Sequence, residues 1–309
     1  MCSSIQTPGN QAEFRARVDT SLINLAQTSF SLPKVFEPSH EFINSSVGRI
    51  HTIVWGKDNL NNPGSPVLLC LHGASRSAYD FSVVAQLLAD KFCVIAMDYA
   101  GHGETSWEYN QSTSFVRRQI QAVVDEFPTD NLHLFGMSLG GLHCAHYAGN
   151  ILTVKRVILG DITPELEKGK LDKISDSLGL SMTGDLDRKK VCDNTVKTGR
   201  TEIAKKQLKL ILKLSKHGVL PVDFEPTLSE FITDKNFKSF WGAIEKIRCP
   251  TLLLKGGEDT YVLPKSEKRM EKRVQSAEIK SVPSGGHNFV LDNPCDTANL
   301  IRDFLFASA

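Results

Sequence analysis

Leu132-His133-Leu134-Phe135-Gly136-Met137-Ser138-Leu139-Gly140-Gly141 decides how this chain is read. The first four residues form an apolar run that ends in a glycine. Beyond the serine, Leu142, Ala145 and Ala148 recur at helical spacing, so the segment predicts a strand, a sharp turn and a helix. A serine held at such a turn projects its hydroxyl away from the chain. The crowded backbone needs residues without side chains two positions to either side. Gly136 and Gly140 meet that demand, and Ser138 becomes the candidate nucleophile.

The surrounding chain predicts an alternation of strands and helices. Pro66 to Leu71 and Phe92 to Met97 are continuous apolar runs, as expected of strands buried on both faces. A helix from Ala78 to Asp90 lies between them, and a second from Ser114 to Phe127 precedes the Ser138 segment. Lys155 to Leu159, Thr251 to Lys255 and Glu278 to Val282 continue the strands, and a helix from Thr297 to Phe306 closes the chain. This order implies a mostly parallel sheet flanked by helices. Arg49 to Gly56 alternates and belongs to an earlier antiparallel hairpin. We therefore divide the chain into an arm at 1–40 with a helix near Glu13 to Ser29, a core of 41–161 and 247–309, and a helical cap inserted at 162–246 after strand 6.

Composition narrows the function classes. With 309 residues, 41% hydrophobic, 23% charged and a net charge of +1, the chain reads as a soluble globular protein with no electrostatic bias toward nucleic acid. Its first ten residues lack the pattern of a secretory signal, and no apolar run reaches membrane-spanning length, so no stable membrane insertion and a cytoplasmic location are expected. Seven cysteines without C-x-x-C spacing read as buried free thiols. The stretch Lys197 to Lys216 carries seven basic residues and one acid, Glu202. It is read as a solvated helical face, with an anionic surface or lipid substrate as the other possibility.

Serine needs an imidazole to take its proton, and the imidazole needs an acceptor at its other nitrogen. His287, in Ser284-Gly285-Gly286-His287 between the last strand and the last helix, is the expected base. Asp259, after the strand Thr251 to Lys255, is the expected orienting acid. Glu258 beside it and Asp161 at the end of the sixth strand are the other carboxylates at strand ends. Asp161 is read chiefly as a structural cap. Asp98, His102, His143 and His146 are read as structural, and Arg76 and Ser75 as surface or substrate-facing.

With these residues in place the chain resembles the α/β-hydrolase superfamily from about Phe42 to the C-terminus, the cap excepted. His72-Gly73 resembles its oxyanion loop, and Asp98-Tyr99-Ala100-Gly101-His102-Gly103-Glu104-Thr105-Ser106 its glycine-rich turn. Gly136 to Gly141 resembles the nucleophile elbow, Pro250 to Asp259 the acid-bearing strand and loop, and Gly286-His287 with Asn293-Pro294 the histidine loop. The resemblance implies an oxyanion hole from the backbone N–H groups of Ala74 and Leu139. Aspartate at the elbow would mark a dehalogenase or epoxide hydrolase, and this chain has serine there.

The expected function is a serine hydrolase, carboxylesterase-like, acting on a small-molecule acyl substrate without metal or organic cofactor. Lactone, amide or carbon-carbon bond hydrolysis on the same fold, or a ligand-binding receptor with little turnover, are the alternatives. Phe231, Phe237, Phe240 and Trp241 of the cap are read either as an acyl-pocket lining or as core.

Overall fold

The computed structural model describes residues 8–74, 76–106, 112–164, 195–216, 240–258, 260–274 and 276–307. Eight strands form one sheet in the order β1-β2-β4-β3-β5-β6-β7-β8. β1 (Ser39–Ser45) and β2 (Gly48–Trp55) make the antiparallel hairpin, and β2 also runs antiparallel to β4 (Cys93–Met97). β3 (Val67–Leu71), β4, β5 (Leu132–Met137), β6 (Val154–Gly160), β7 (Thr251–Gly256) and β8 (Ala277–Val282) are mutually parallel. The central strands are buried on both faces, which is why β3 and β4 are unbroken apolar runs; β2 is buried from Ile50 to Trp55 as well, and only the edge strand β1 is largely half-exposed.

Helices cover both faces. One apolar layer joins β3, β4 and β5 to α3 (Thr113–Glu126) and α4 (Leu139–Ala148), with Leu69, Ile95, Ile120, Val123 and Ala145 in it. The other holds Leu68, Val94, Phe135 and Leu252 against α1 (Pro8–Phe30), α2 (Ser82–Leu88) and the C-terminal helix Pro294–Phe306. Helix α1 begins five residues before the expected Glu13 and packs Val18 and Leu22 into this second layer.

The cap assignment 162–246 lies largely outside the described residues. The described helix Glu202–Lys216 buries Ala204, Leu208 and Ile211, and its Gln207 Nε2 donates to the carbonyls of Tyr79 and Asp80 at 3.3 and 3.1 Å. Its apolar stripe is thus already covered by protein, while Lys206, Lys209 and Lys213 face solvent. That is the solvated-face reading of the basic stretch. Phe240 and Trp241 are buried in the first core layer, so they pack rather than line a pocket, and Phe231 and Phe237 lie outside the described residues. Among the described residues no helix is long and apolar enough to cross a membrane.

Candidate active site

Ser138 follows the last residue of β5 with φ 51° and ψ −117°, a left-handed turn that few non-glycine residues adopt. The turn is tight enough that a Cβ on Gly136 would overlap the backbone of Gly140, and one on Gly140 would overlap the carbonyl of Leu71. Each glycine is therefore required by a backbone passing where a side chain would stand. Leu139, the first residue of α4, has no intrahelical acceptor for its N–H, which leaves that donor beside the serine.

The loop after β3 runs against the same turn. A Cβ on Gly73 would stand 3.3 Å from the Cβ of Ser138. His72 holds this loop without taking part in proton transfer. Its Nδ1 donates to Gly73 O at 2.7 Å, its Nε2 accepts from Tyr99 N, and its carbonyl accepts from the Tyr99 hydroxyl at 3.0 Å. Burial, reinforced by the neighbouring His102, lowers its pKa to about 3, so the ring is neutral. His102 and His143 are buried around Tyr99, and burial lowers both pKa values, that of His143 to about 3. These histidines pack, as expected, and so does the partly buried His146. Arg76, farther along the loop, forms a two-pronged ion pair with Asp80 at 2.6 and 2.7 Å.

His287 sits in the loop between β8 and the short helix Phe289–Asp292, and it lines the same cavity as Ser138 and Ala74. Its Nδ1 lies 2.6 Å from Oδ2 of Asp161. The sequence reading put Asp259 in this place; Asp259 lies outside the described residues, and the described partner of His287 Nδ1 is Asp161. The described residues at the end of β7 and in the loop after it contribute donors to Asp161. Gly256 N at 3.0 Å and the Thr260 hydroxyl bind Asp161 Oδ1, and Tyr261 N binds Oδ2 at 2.9 Å. Burial alone would raise the Asp161 pKa, but His287 and these donors outweigh it and hold the carboxyl below its usual range. Asp161 is fully buried and ionised, and its φ of 45° is one that aspartate tolerates.

Tyr261 also lays its ring on His287, with centroids 4.0 Å apart, so the imidazole is fixed by a carboxylate at one edge and an aromatic face along its plane. Thr260 and Tyr261 carried no signal in the sequence beyond their place next to an expected acid. Asp292 supports the loop from beneath. Its two oxygens accept from Gly286 N at 3.1 Å and from Arg200 N at 2.8 Å, which ties the histidine loop to the segment 195–200. Glu258 pairs with the Arg200 side chain at 2.5 Å, away from the imidazole.

The cavity encloses about 310 Å³. Ser138, His287 and Ala74 lie on one side, and Thr195, Lys197, Thr198 and Arg200 contribute a polar and cationic wall. Serine, an imidazole anchored through Nδ1, and backbone donors in one cavity can support attack on a carbonyl carbon.

Comparison with known proteins agrees with the geometry. Residues 68–300 match the model of the Alpha/beta hydrolase family. The chain is 25% identical to a 3-hydroxybutyrate-oligomer hydrolase of Cupriavidus necator over 270 residues, covering 79% of this chain and 88% of that protein. It is 23% identical to the mouse sn-1-specific diacylglycerol lipase ABHD11 over 259 residues, covering 78% and 81%. Among solved structures, an esterase from Mycobacterium tuberculosis superposes with a TM-score of 0.71 at 19% identity, covering 94% of this chain and 98% of that one, a likeness of fold.

Proposed function

Because this chain belongs to the Alpha/beta hydrolase family, we propose that it is a serine hydrolase of carboxylic esters working through an acyl-enzyme on Ser138. The observation that carries the reading is the His287–Asp161 pair at 2.6 Å in the cavity that also holds Ser138. With Nδ1–H given to Asp161, Nε2 is the nitrogen left to take the serine proton. Ser138 Oγ attacks the ester carbonyl, and the charge that develops on the carbonyl oxygen is met by the N–H groups of Leu139 and Ala74. His287 passes the proton to the departing alcohol and then draws one from water, which releases the acid and restores the serine.

Esters are favoured over the other bonds this chemistry can cleave by the relatives named above, an oligomer hydrolase and a lipase. The polar wall of Thr195, Lys197, Thr198 and Arg200 suits a short ester with a polar or anionic end better than a long hydrocarbon chain. The test is labelling with a fluorophosphonate probe together with turnover of p-nitrophenyl esters. Wild type is expected to label once, at Ser138, and Ser138→Ala to lose both labelling and turnover. A Ser138→Ala variant with full turnover would end the proposal.

A further inference from the structure

A second cluster of chemically capable side chains is buried on the far side of Asp98 from the oxyanion loop, and none of its members lines the cavity of Ser138. His40 on β1 and His51 on β2 face each other, Nδ1 to Nε2, at 2.8 Å, with ring centroids 5.1 Å apart and planes within 9°. The outer nitrogen of each ring meets a carboxylate. His40 Nε2 lies 2.9 Å from Asp19 on α1, and His51 Nδ1 lies 2.6 Å from Asp98 after β4. An ionised carboxylate only accepts, so both outer nitrogens carry hydrogens and the two inner nitrogens turn lone pairs toward each other. Two lone pairs at that separation require an electrophile between them, either one extra ring proton or a cation.

A second observation points to the cation. Glu104 is 90% buried, and its Oε1 has no hydrogen-bond partner although it lies 3.9 Å from His51 Nε2. Its other oxygen is occupied by Arg15 of α1. The Tyr79 hydroxyl, buried without a partner, lies in the field of Asp19, Glu104 and Asp98. A buried anionic oxygen left without a donor beside two imidazole lone pairs is the environment of a metal ligand set.

We propose that His40 Nδ1, His51 Nε2 and Glu104 Oε1 form a binding site for a divalent transition metal of the zinc type. The three atoms lie within 4.8 Å of one another. Two imidazoles and one carboxylate suit zinc rather than magnesium or calcium, which prefer all-oxygen sets. Asp19 and Asp98 stand behind the histidines as the carboxylates that orient metal-bound imidazoles, fixing the nitrogen each presents. Metal–nitrogen bonds of about 2.0–2.1 Å in tetrahedral geometry place the two nitrogens about 3.3 Å apart, so the rings spread by about half an ångström as the ion replaces the proton. The ion clasps α1, the β1–β2 hairpin and the turn after β4. Behind His51, Asp98 links the site to the turn that follows the oxyanion loop, its Oδ1 accepting from Ala78 N at 2.8 Å.

The test is a titration of chelator-treated full-length protein with zinc sulfate, followed by calorimetry and thermal melting, with cobalt(II) as the spectroscopic probe. Wild type is expected to bind one equivalent, to melt at higher temperature with the metal, and to give the visible bands of tetrahedral cobalt. Asp19→Asn, which removes only the carboxylate behind His40, is expected to weaken binding about 10- to 100-fold. His40→Gln and Glu104→Gln are expected to weaken it further, while His287→Ala binds as wild type does. If His40→Gln does not fold, Glu104→Gln decides. The proposal is overturned if wild type binds no zinc, if folded His40→Gln and Glu104→Gln bind it unchanged, or if His287→Ala abolishes binding.

Discussion

Asp161 and Ser138 end adjacent parallel strands at the same level, for Met137 pairs with Gly160 and Ser138 N donates to Gly160 O at 2.7 Å. Both residues take left-handed backbone angles, φ 51° and 45°, immediately after that last paired position. The carboxylate in contact with His287 is therefore the next-door neighbour of the candidate nucleophile, one strand closer to it than the end of β7. Asp161→Asn is expected to lower kcat on a p-nitrophenyl ester by about 10⁴-fold with KM little changed, because an amide no longer fixes the ring tautomer. Asp259→Asn is expected to stay near wild type. The opposite ranking of the two variants would return the role to Asp259.

Gly140→Ala tests whether the elbow and the oxyanion loop share one space. The added Cβ overlaps Leu71 O and comes within 2.7 Å of His72 O, so it pushes the loop that carries Ala74 away from Ser138. Expected are a loss in kcat of about 10²-fold or more and a destabilisation of about 1–3 kcal/mol. A fully active Gly140→Ala would show that the loop has room.

Buried neutral histidines set the acid sensitivity of the fold. Burial lowers the pKa of His72 and His143 to about 3, and of His133 to about 4, from 6.5. Folded values below the unfolded one mean that acid protonates the unfolded chain first. Stability is therefore complete above pH 6.5 and is lost as pH falls toward 4. Each histidine costs about 1.4 kcal/mol per pH unit in that window, which matters against a total of about 5–15 kcal/mol. Urea midpoints are expected to drop steeply between pH 6.5 and pH 5, with about three protons taken up on unfolding by these groups and further uptake by His102 and His146, whose pKa values burial also lowers. A flat profile there would contradict the assignment.

Arg76→Met is expected to destabilise the fold by about 3 kcal/mol or more at pH 8, because it strands Asp80, whose pKa burial already raises, without its partner. The penalty shrinks at pH 5, where the carboxyl can be buried neutral. Melting temperatures at the two pH values measure it.

Lys197 lines the cavity and carries the charge expected to meet an anionic substrate end. Lys197→Met is expected to lower kcat/KM about tenfold for a p-nitrophenyl half-ester of a dicarboxylic acid, and to leave p-nitrophenyl butyrate unchanged, as loss of one solvent-facing ionic contact of about 1.4 kcal/mol predicts. Equal losses on both esters would remove the charge argument.

The sheet was legible because buried parallel strands must be apolar along their length, and the elbow because two backbones cross where Gly136 and Gly140 stand. The loop of His287 marked it in the sequence, and the structure puts it on the same cavity as Ser138. The partner of His287 was harder to read, since the sequence offers an aspartate after both β6 and β7. The Asp161 contact depends on how the loop after β7 folds back to offer Thr260 and Tyr261 as donors, which no local pattern spells out. The cap aromatics were ambiguous for a related reason. Phe240 and Trp241 are as apolar as a pocket lining would be, and only packing against the first core layer separates the two fates.

Asp292 joins the cavity wall at Arg200 to the loop that carries His287. On the proposed function, selectivity and speed share an anchor. Backbone shifts at Arg200 made to admit a different substrate are then expected to re-aim the imidazole too, so variants selected for a new ester would recover turnover through compensating changes around Asp292.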